Sequence, residues 1–212
     1  MSILLQTAAE TRRHAILKEM ADALRSASSG ITSIEAVIAT TNVTPQEIGN
    51  AFGDNQGLLV AIAEALAVSM LEPLDDCTTE VAFRQKLLAF GHRVTDEYSA
   101  SQLKNLYRIA VTEVIRNTGV GCDFYNHGPG LLTAGLTRFF KAAQTAGIAV
   151  GQDSRNLASH LLALLRASFD LSDTFPADKP NESSHEQRDV SRIIELFCVG
   201  IQAGGKNAQA AL

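Results

Sequence analysis

Two helix-start signals stand twelve residues apart near the N-terminus, and they limit what this segment can fold into. The first is Thr32-Ser33-Ile34-Glu35 and the second is Thr44-Pro45-Gln46-Glu47. In each, threonine precedes glutamate by three residues, the capping-box spacing in which a hydroxyl and a carboxylate satisfy the free amides of the first turn. Proline suits the first helical position, so Pro45 strengthens the second signal. The pattern predicts two short helices with Thr32 and Thr44 as their N-caps.

A tight turn is predicted between these helices. The apolar positions of the first end at Ile38, and Thr40-Thr41-Asn42 follow. Asparagine enters the left-handed backbone conformation more readily than most residues, which makes Asn42 the expected turn centre. After the second helix, Gly53 is a helix breaker and Asp54 can cap the next helix.

Apolar residues recur at helical spacing along the rest of the chain. An initial helix carries Ile16, Leu17, Met20 and Leu24, and Gly30 follows it where a left-handed cap or loop is expected. Five more helices are expected over residues 80–97, 102–116, 130–146, 154–171 and 187–203. Irregular connections are expected over 117–129 and 170–186. Since no run has the two-residue period of a strand, the sequence predicts an all-α protein.

Composition favours an ordinary globular protein in a reducing compartment. Of the 212 residues, 46% are hydrophobic and 19% are charged, and the three cysteines have no C-x-x-C spacing. The longest apolar stretch, Leu58 to Leu71, contains Glu64 and is shorter than the roughly 20 residues of a membrane span. A net charge of −5 argues against a broad nucleic-acid surface. We expect a soluble cytoplasmic protein without a signal peptide.

No catalytic, metal or cofactor site is expected. The five histidines lack metal-ligand spacing, and no paired acid and base can be named. Cys122 and His127 lie close in sequence, but the glycines around them favour a flexible connection over a nucleophilic pair. We therefore expect a protein that is not an enzyme and has no cofactor.

A helix, two short capped helices around a turn, and a longer helix form the layout of a helix-turn-helix domain. Residues 13–66 resemble the tetracycline-repressor (TetR) family of transcriptional regulators. The likeness rests on Ile16-Leu17, Ala21, Gly30, Thr32-Ser33-Ile34, Val43-Thr44, Ile48, Phe52 and Leu58-Leu59, and continues at Phe139-Phe140, Ala146-Gly147-Ile148, Asp153 and Leu157-Ala158. It implies a DNA-binding domain over 1–54, a connecting helix and linker over 55–76, a ligand-binding and dimerisation domain over 77–205, and a flexible tail over 206–212.

The resemblance implies that eight residues lie at the DNA. Those near phosphates would be Arg12, Arg13, Thr32 and Asn55, and those facing base edges would be Thr44, Pro45, Gln46 and Asn50. The amides of Gln46 and Asn50 suit bidentate contact with adenine. The chain departs from the family at two positions, because Gly49 stands where a tyrosine is usual and Asn55 where a lysine is usual. Residues 1–60 also hold four basic and six acidic side chains.

The larger domain would hold a ligand pocket and a dimer interface. The pocket candidates are Phe83, Phe90, His92, Tyr107 and Arg108, since helical bundles bind ligands between apolar side chains with a few polar ones. The interface that the resemblance implies would use Leu157, Leu161, Leu164, Leu165, Ile194, Phe197 and Ile201. The first four of these make their helix apolar over more of its circumference than one neighbour within the chain is expected to cover.

The sequence thus predicts a ligand-responsive transcriptional regulator, and we expect it to act as a repressor. Its partners would be double-stranded operator DNA, a second copy of itself and an unidentified small-molecule effector, with no membrane. The alternative is a TetR-like helical dimer that binds a small molecule or a protein partner and has weak or lost DNA binding. The departures at Gly49 and Asn55 and the charge count motivate that alternative.

Overall fold

The computed structural model of the protein describes residues 2–27, 31–75, 79–99, 101–149, 153–166 and 190–209. Ten α-helices and one π-helical turn occupy these ranges, and no strand occurs in them, so the all-α prediction is confirmed. The helices are α1 Ser2–Ser26, α2 Ile34–Ile38, α3 Pro45–Phe52, α4 Asn55–Leu71, α5 Glu80–Ser99, α6 Ser101–Ile115, α7 Val120–Tyr125, α8 Leu131–Thr145, α9 Ser154–Arg166 and α10 Val190–Gln209, with the π-helical turn Asn126–Gly130 between α7 and α8.

Two compact units divide the chain by packing. The first comprises Met1–Ala67 and Ser99–Gly130, and the second comprises Val68–Tyr98 and Leu131–Leu212. The helix-turn-helix segment therefore folds together with α6 and α7. The division into 1–54, 55–76, 77–205 and 206–212 concerns function and stays a prediction.

Several predicted features lie outside the described residues. They are Gly30, the polar segment 170–186, the predicted helix ends at Leu171 and Gln187, and Cys77. Helix α10 runs to Gln209, past the predicted end at Ala203. Helices α5, α6 and α8 begin and end within about two residues of the expected positions, as is usual for helix boundaries, and α9 begins at the expected residue.

The N-cap of α2 is Ser33, one residue after the predicted Thr32. Ser33 has an extended backbone, with φ −139° and ψ 150°, and its hydroxyl accepts a hydrogen bond from the Ala36 amide at 3.2 Å. This start makes Ile34 the first helical residue, and Ile34 and Val37 both reach the core from it. Adjacent Thr and Ser can each cap a helix, so the sequence alone does not choose between them. Thr32 is exposed.

The turn between α2 and α3 is closed by threonine hydroxyls and not by a left-handed asparagine. Thr40 Oγ1 and Thr41 Oγ1 each donate to a carbonyl of α2 at 2.7 Å, and the Val43 amide donates to Thr41 Oγ1 at 3.2 Å. Among the described non-glycine residues only Asn117 has a positive φ, so the prediction for Asn42 was wrong. The Asn42 amide instead donates to Glu19 Oε1 on α1 at 2.7 Å.

Helix α3 begins and ends as predicted. Thr44 and Glu47 form the reciprocal capping box, and Pro45 occupies the first turn. The helix ends at Gly53, whose φ of 86° is one that side-chain-bearing residues rarely adopt. Asp54 then caps α4, because its Oδ1 accepts from the Gly57 amide at 2.8 Å.

Polar side chains of α6 form hydrogen bonds with residues at the C-terminal end of α1. Asn105 Nδ2 donates to the carbonyl of Leu24 at 2.9 Å and to that of Ala27 at 3.2 Å. Arg25 Nη2 donates to Gln102 Oε1 at 3.1 Å. The last carbonyls of a helix have no partner within it, so Asn105 acts as an external cap for α1.

The predicted irregular segment 117–129 is mostly helical. The chain reverses at Asn117 and Gly119, with φ of 56° and 83°, and α7 and the π-helical turn follow. Val120 and Phe124 are four residues apart and both buried, which gives α7 one core-facing side. The glycines of this segment favoured an irregular connection, so α7 was not predicted.

The second unit is built around aromatic side chains. The ring of Phe83 stacks on Phe139 with centroids 5.4 Å apart and meets Phe140 edge-on at 6.1 Å. Phe140 also contacts Phe197 of α10 at 5.7 Å.

No single described helix is long and apolar enough to cross a membrane, and only the pair α3 and α4, bent by 63°, has that length and apolarity together.

Two glycines near α3 allow a matched test of this local packing. A Cβ at Gly57 would overlap the carbonyl oxygen of Phe52, whereas one at Gly49 would meet nothing within 4 Å. We expect Gly57→Ala to lower the free energy of unfolding by about 1–3 kcal/mol through overpacking. We expect Gly49→Ala to raise it by about 0.8–1 kcal/mol, because alanine favours a helix interior. Urea unfolding measures both, and equal effects of the two variants would contradict this packing.

Candidate nucleic-acid interface

One face of α3 presents polar groups outward. Gln46, Gly49 and Asn50 are exposed at the i, i+3, i+4 spacing that places residues on one side of a helix. Ile48 is buried on the opposite side and anchors the helix. Because Gly49 has no side chain, the amides of Gln46 and Asn50 are the polar groups of this strip. Thr44 and Pro45 are exposed beside it, at the start of the helix.

The carboxylate of Glu47 joins α1 to the start of α3. Its Oε2 accepts from the amide and the hydroxyl of Thr44 at 2.9 and 2.8 Å. Its Oε1 accepts from Nε and Nη2 of Arg12 at 2.9 and 2.6 Å. The Thr44 amide, followed by the Thr44 hydroxyl and then Arg12, lowers the pKa of Glu47 to about 2. Glu47 is therefore a fixed negative charge on this helix at neutral pH.

Arg13 contacts the other end of α3. Its Nη1 donates to the carbonyl oxygen of Ala51 at 2.5 Å, and its guanidinium lies 4.5 Å from the centre of the Phe52 ring. A cation at the last turn of a helix is favoured by the helix dipole, and a guanidinium over an aromatic ring adds a cation–π contact. Consecutive arginines of α1 thus contact opposite ends of α3.

The two remaining residues predicted to lie near phosphates, Thr32 and Asn55, have uncharged side chains, and Thr32 is exposed. Asn55 Nδ2 donates to Glu35 Oε1 at 3.0 Å, which ties the start of α4 to α2. Partial burial raises the pKa of Glu35, but hydrogen bonds from its own backbone amide, Asn55 and Ser33, with the charge of Arg116, lower it overall. Asn55 therefore lies beside a negative carboxylate.

The predicted pocket residues fall in both units. Phe83 and Phe90 are fully buried in the second unit, and Phe83 belongs to its packed aromatic cluster. His92 is exposed on α5. In the first unit, Tyr107 packs edge-on against Phe124 at 5.8 Å, and Arg108 Nη1 donates to Asn105 Oδ1 at 2.8 Å. Phe83 and Arg108 thus have structural roles, and the pocket assignment stays a prediction.

A small crevice between α5 and α10 was not predicted. It has a volume of about 180 Å³ and is lined by Arg84, Gln85, Leu88, Ser191, Ile194, Glu195 and Cys198. The helices touch beside it at Gly91, where a Cβ would press on Val190 and Ile194. Arg84 and Leu88 have the i, i+4 spacing of one helix face, but no feature of the sequence indicated that this face lies against α10. Burial raises the pKa of the Cys198 thiol.

Most residues of the predicted dimer interface are buried within the chain. Leu164 is 46% exposed, whereas the other six are at most 8% exposed: Leu157, Leu161, Leu165, Ile194, Phe197 and Ile201. Helix α9 packs on two neighbours within the chain, α8 and α10, and of its four predicted interface residues only Leu164 stays exposed. Besides Leu164, the outward apolar positions of these helices include Leu196 and Val199, which are 64% and 53% exposed.

Comparison with known proteins gives a consistent picture. Residues 85–200 match the model of the C-terminal domain of AefR-like transcriptional repressors, within the TetR grouping. A protein from Mesorhizobium loti, described as a TetR-family transcriptional regulator, has a structure with a TM-score of 0.63 and 16% identity, covering 92% of this chain and 96% of that one. GusR of Salmonella enterica gives a TM-score of 0.54 and 20% identity, covering 92% and 95%. These two likenesses are of fold. No curated protein sequence matches the chain significantly.

The environment of Glu47 predicts a pH dependence. Since folding lowers the pKa of this carboxyl from 4.5 to about 2, its stabilising effect is complete above pH 4.5 and is lost as the pH falls towards 2. We expect Glu47→Gln to lose stability less steeply than the wild type between these values. Carbon-detected NMR titration of the carboxyl measures the pKa directly. Arg12→Gln should raise it only in part, because the Thr44 amide is the largest cause, and a value near 4.5 in the wild type would contradict the capping geometry.

Proposed function

Because this chain belongs to the TetR family of transcriptional regulators, which are not enzymes, we propose that it is a repressor that binds operator DNA. In this proposal it acts as a homodimer and is released from DNA by a small ligand. Two recognition helices α3 would enter successive major grooves about 34–36 Å apart. The observation that carries the proposal is the exposed amide strip of α3, held by a complete capping box on a buried anchor.

The chemistry of the strip supports reading of base edges. Side-chain amides of Gln or Asn can donate to and accept from adenine in the major groove at once. Gln46 and Asn50 are one helical turn apart, and Gly49 between them leaves room for the DNA to approach the helix backbone. Thr44 at the cap would add a hydroxyl close to a phosphate.

A dimer is supported by exposed apolar residues on α9 and α10. On α9 the outward strip is His160, Ala163 and Leu164, and on α10 it is Leu196, Val199 and Gly200. Both strips have the i, i+3, i+4 spacing of one helix face, and the small residues Ala163 and Gly200 would allow close approach of a partner helix. TetR-family regulators act as dimers that bind DNA, so the occupant we propose for this face is a second copy of the chain.

The negative charge balance of residues 1–60 favours a second candidate, a TetR-like dimer with little DNA binding. Arg12 is paired with Glu47, Arg25 is paired with Asp22, and Asn55 replaces the cation that is usual in the family. Phosphate neutralisation supplies much of the affinity of DNA-binding proteins. Binding that is readily lost at raised salt fits the repressor, and no preference among duplexes at any salt concentration fits the second candidate.

The amide strip predicts where sequence preference originates. We expect Gln46→Ala and Asn50→Ala each to lower the affinity for the preferred duplex by about 1–3 kcal/mol, since each removes a bidentate base contact. Affinity for an unrelated duplex should hardly change. The measurement is fluorescence anisotropy with both duplexes at low salt, taking the DNA upstream of the chain's own gene as the first source of sites.

Gln85→Ala is the matched control, because it removes an exposed amide from α5 in the other unit. A wild-type protein that binds both duplexes equally would overturn the repressor proposal. If Gln85→Ala lowered the affinity for the preferred duplex as much as Gln46→Ala does, α3 would not be the helix that reads the base edges.

The outward strips of α9 and α10 predict the oligomeric state. We expect Leu196→Glu combined with Val199→Glu to shift the protein from dimer to monomer in sedimentation equilibrium, because four carboxylates would face one another across a two-fold interface. Val111→Glu on α6 is the control, since Val111 is 56% exposed and belongs to the first compact unit, whereas these strips belong to the second. A wild-type monomer, or a dimer unaffected by the double substitution, would contradict the assignment.

A further inference from the structure

We propose that Arg12 positions the recognition helix α3 by holding Glu47, and that it is not a phosphate ligand. The proposal rests on the proposed DNA binding and assigns a residue that controls it. The structure shows two hydrogen bonds from one guanidinium to one carboxylate oxygen, across 35 positions of sequence. By contrast, the family resemblance implies that Arg12 would lie near a DNA phosphate.

Charge opposes a move of Arg12 from Glu47 to a phosphate. Glu47 stands on the helix that would enter the major groove, and its pKa of about 2 keeps it ionised at neutral pH. Arg12 is the cation that neutralises it, at 2.6 Å. If Arg12 moved to a phosphate, Glu47 would carry an uncompensated negative charge towards a polyanion, and like charges brought together oppose binding.

Geometry gives Arg12 a second reason to stay. Oε2 of Glu47 is already occupied by the amide and the hydroxyl of Thr44, which leaves Oε1 to Arg12. The same carboxylate therefore completes the cap of α3 and anchors that cap to α1. Because α3 has only eight residues, it depends on such outside contacts for its orientation.

Arg13 supports the same interpretation from the other end of the helix. Its guanidinium donates to the Ala51 carbonyl and lies over the Phe52 ring, at the last turn of α3. Together with the Glu19 carboxylate, which accepts from the Asn42 amide, the two arginines give α1 a contact with the turn and with each end of α3. Helix α1 thus fixes the angle at which the amide strip is presented.

The test is a charge-balanced pair of substitutions. Arg12→Gln alone exposes the Glu47 charge, and we expect it to weaken binding of the preferred duplex about tenfold. Glu47→Gln keeps a side chain that can complete a capping box. The double variant Arg12→Gln, Glu47→Gln has the net charge of the wild type, and we expect its affinity to return to within about twofold of it, with an unchanged dependence on salt.

A phosphate-ligand role gives the opposite result. The double variant would then bind as weakly as Arg12→Gln, and its slope of log affinity against log salt concentration would be smaller than that of the wild type by about 0.9. That result would overturn the proposal. Lys18→Gln is the matched control for the loss of one positive charge from α1, because Lys18 is exposed, and we expect it to weaken binding less than Arg12→Gln does.

Failure of the DNA-binding proposal is distinguishable from failure of this inference. If the wild type shows no preference for any duplex, the repressor proposal fails, and the positioning role is judged from hydrogen exchange in α3. We expect Arg12→Gln to speed exchange of the α3 amides several-fold and Lys18→Gln to leave it unchanged. Equal exchange in the wild type and Arg12→Gln would overturn the positioning role on its own.

Discussion

The arrangement of α1 and α3, the part of the protein that we propose faces DNA, depends on the hydrogen bonds of the Glu47 carboxylate. One of its oxygens satisfies the start of α3 through Thr44, and the other receives the guanidinium of Arg12 from α1. A capping box usually stabilises a helix locally, but here it also joins two helices that are distant in sequence. The orientation of the exposed amides of Gln46 and Asn50 follows from that junction.

The C-terminal end of α1 is likewise held by a side chain that is distant in sequence. Asn105 of α6 is almost fully buried, yet its amide group has partners, because it donates to two carbonyls at the end of α1. A buried amide without partners would cost roughly 1–3 kcal/mol, so this arrangement ties α6 to α1 with little freedom to slide. It explains why the first compact unit includes α6 and α7, although sequence order alone would assign them to the larger domain.

The sequence predicted well what depends on local chemistry. The capping box of Thr44, the break at Gly53 and the cap at Asp54 are set by residues within a few positions of one another, and the structure has all three. The all-α class followed from apolar periodicity. The N-cap of α2 was misplaced by one residue because Thr32 and Ser33 are chemically equivalent as caps. Helix α7 was missed because only the pair Val120 and Phe124 signals it among several glycines.

Features that depend on distant contacts were beyond the sequence. The periodicity of α9 identified an apolar helix correctly, but it could not say which side α8 and α10 would cover, so inward residues such as Leu161 were assigned to the dimer interface. Likewise, the family resemblance implied phosphate contacts for Arg12 and Arg13, and the sequence could not show the bonds that these side chains make within the fold. Their partners, Glu47 and Ala51, lie 35 and 38 residues away. The most direct test of the central claim, that α1 holds a DNA-reading α3 through Arg12 and Glu47, is a crystal structure of the protein on a duplex that it selects from a random pool. The account predicts the amides of Gln46 and Asn50 on base edges with Arg12 still bonded to Glu47. Arg12 bonded to a phosphate, with Glu47 released, would contradict it.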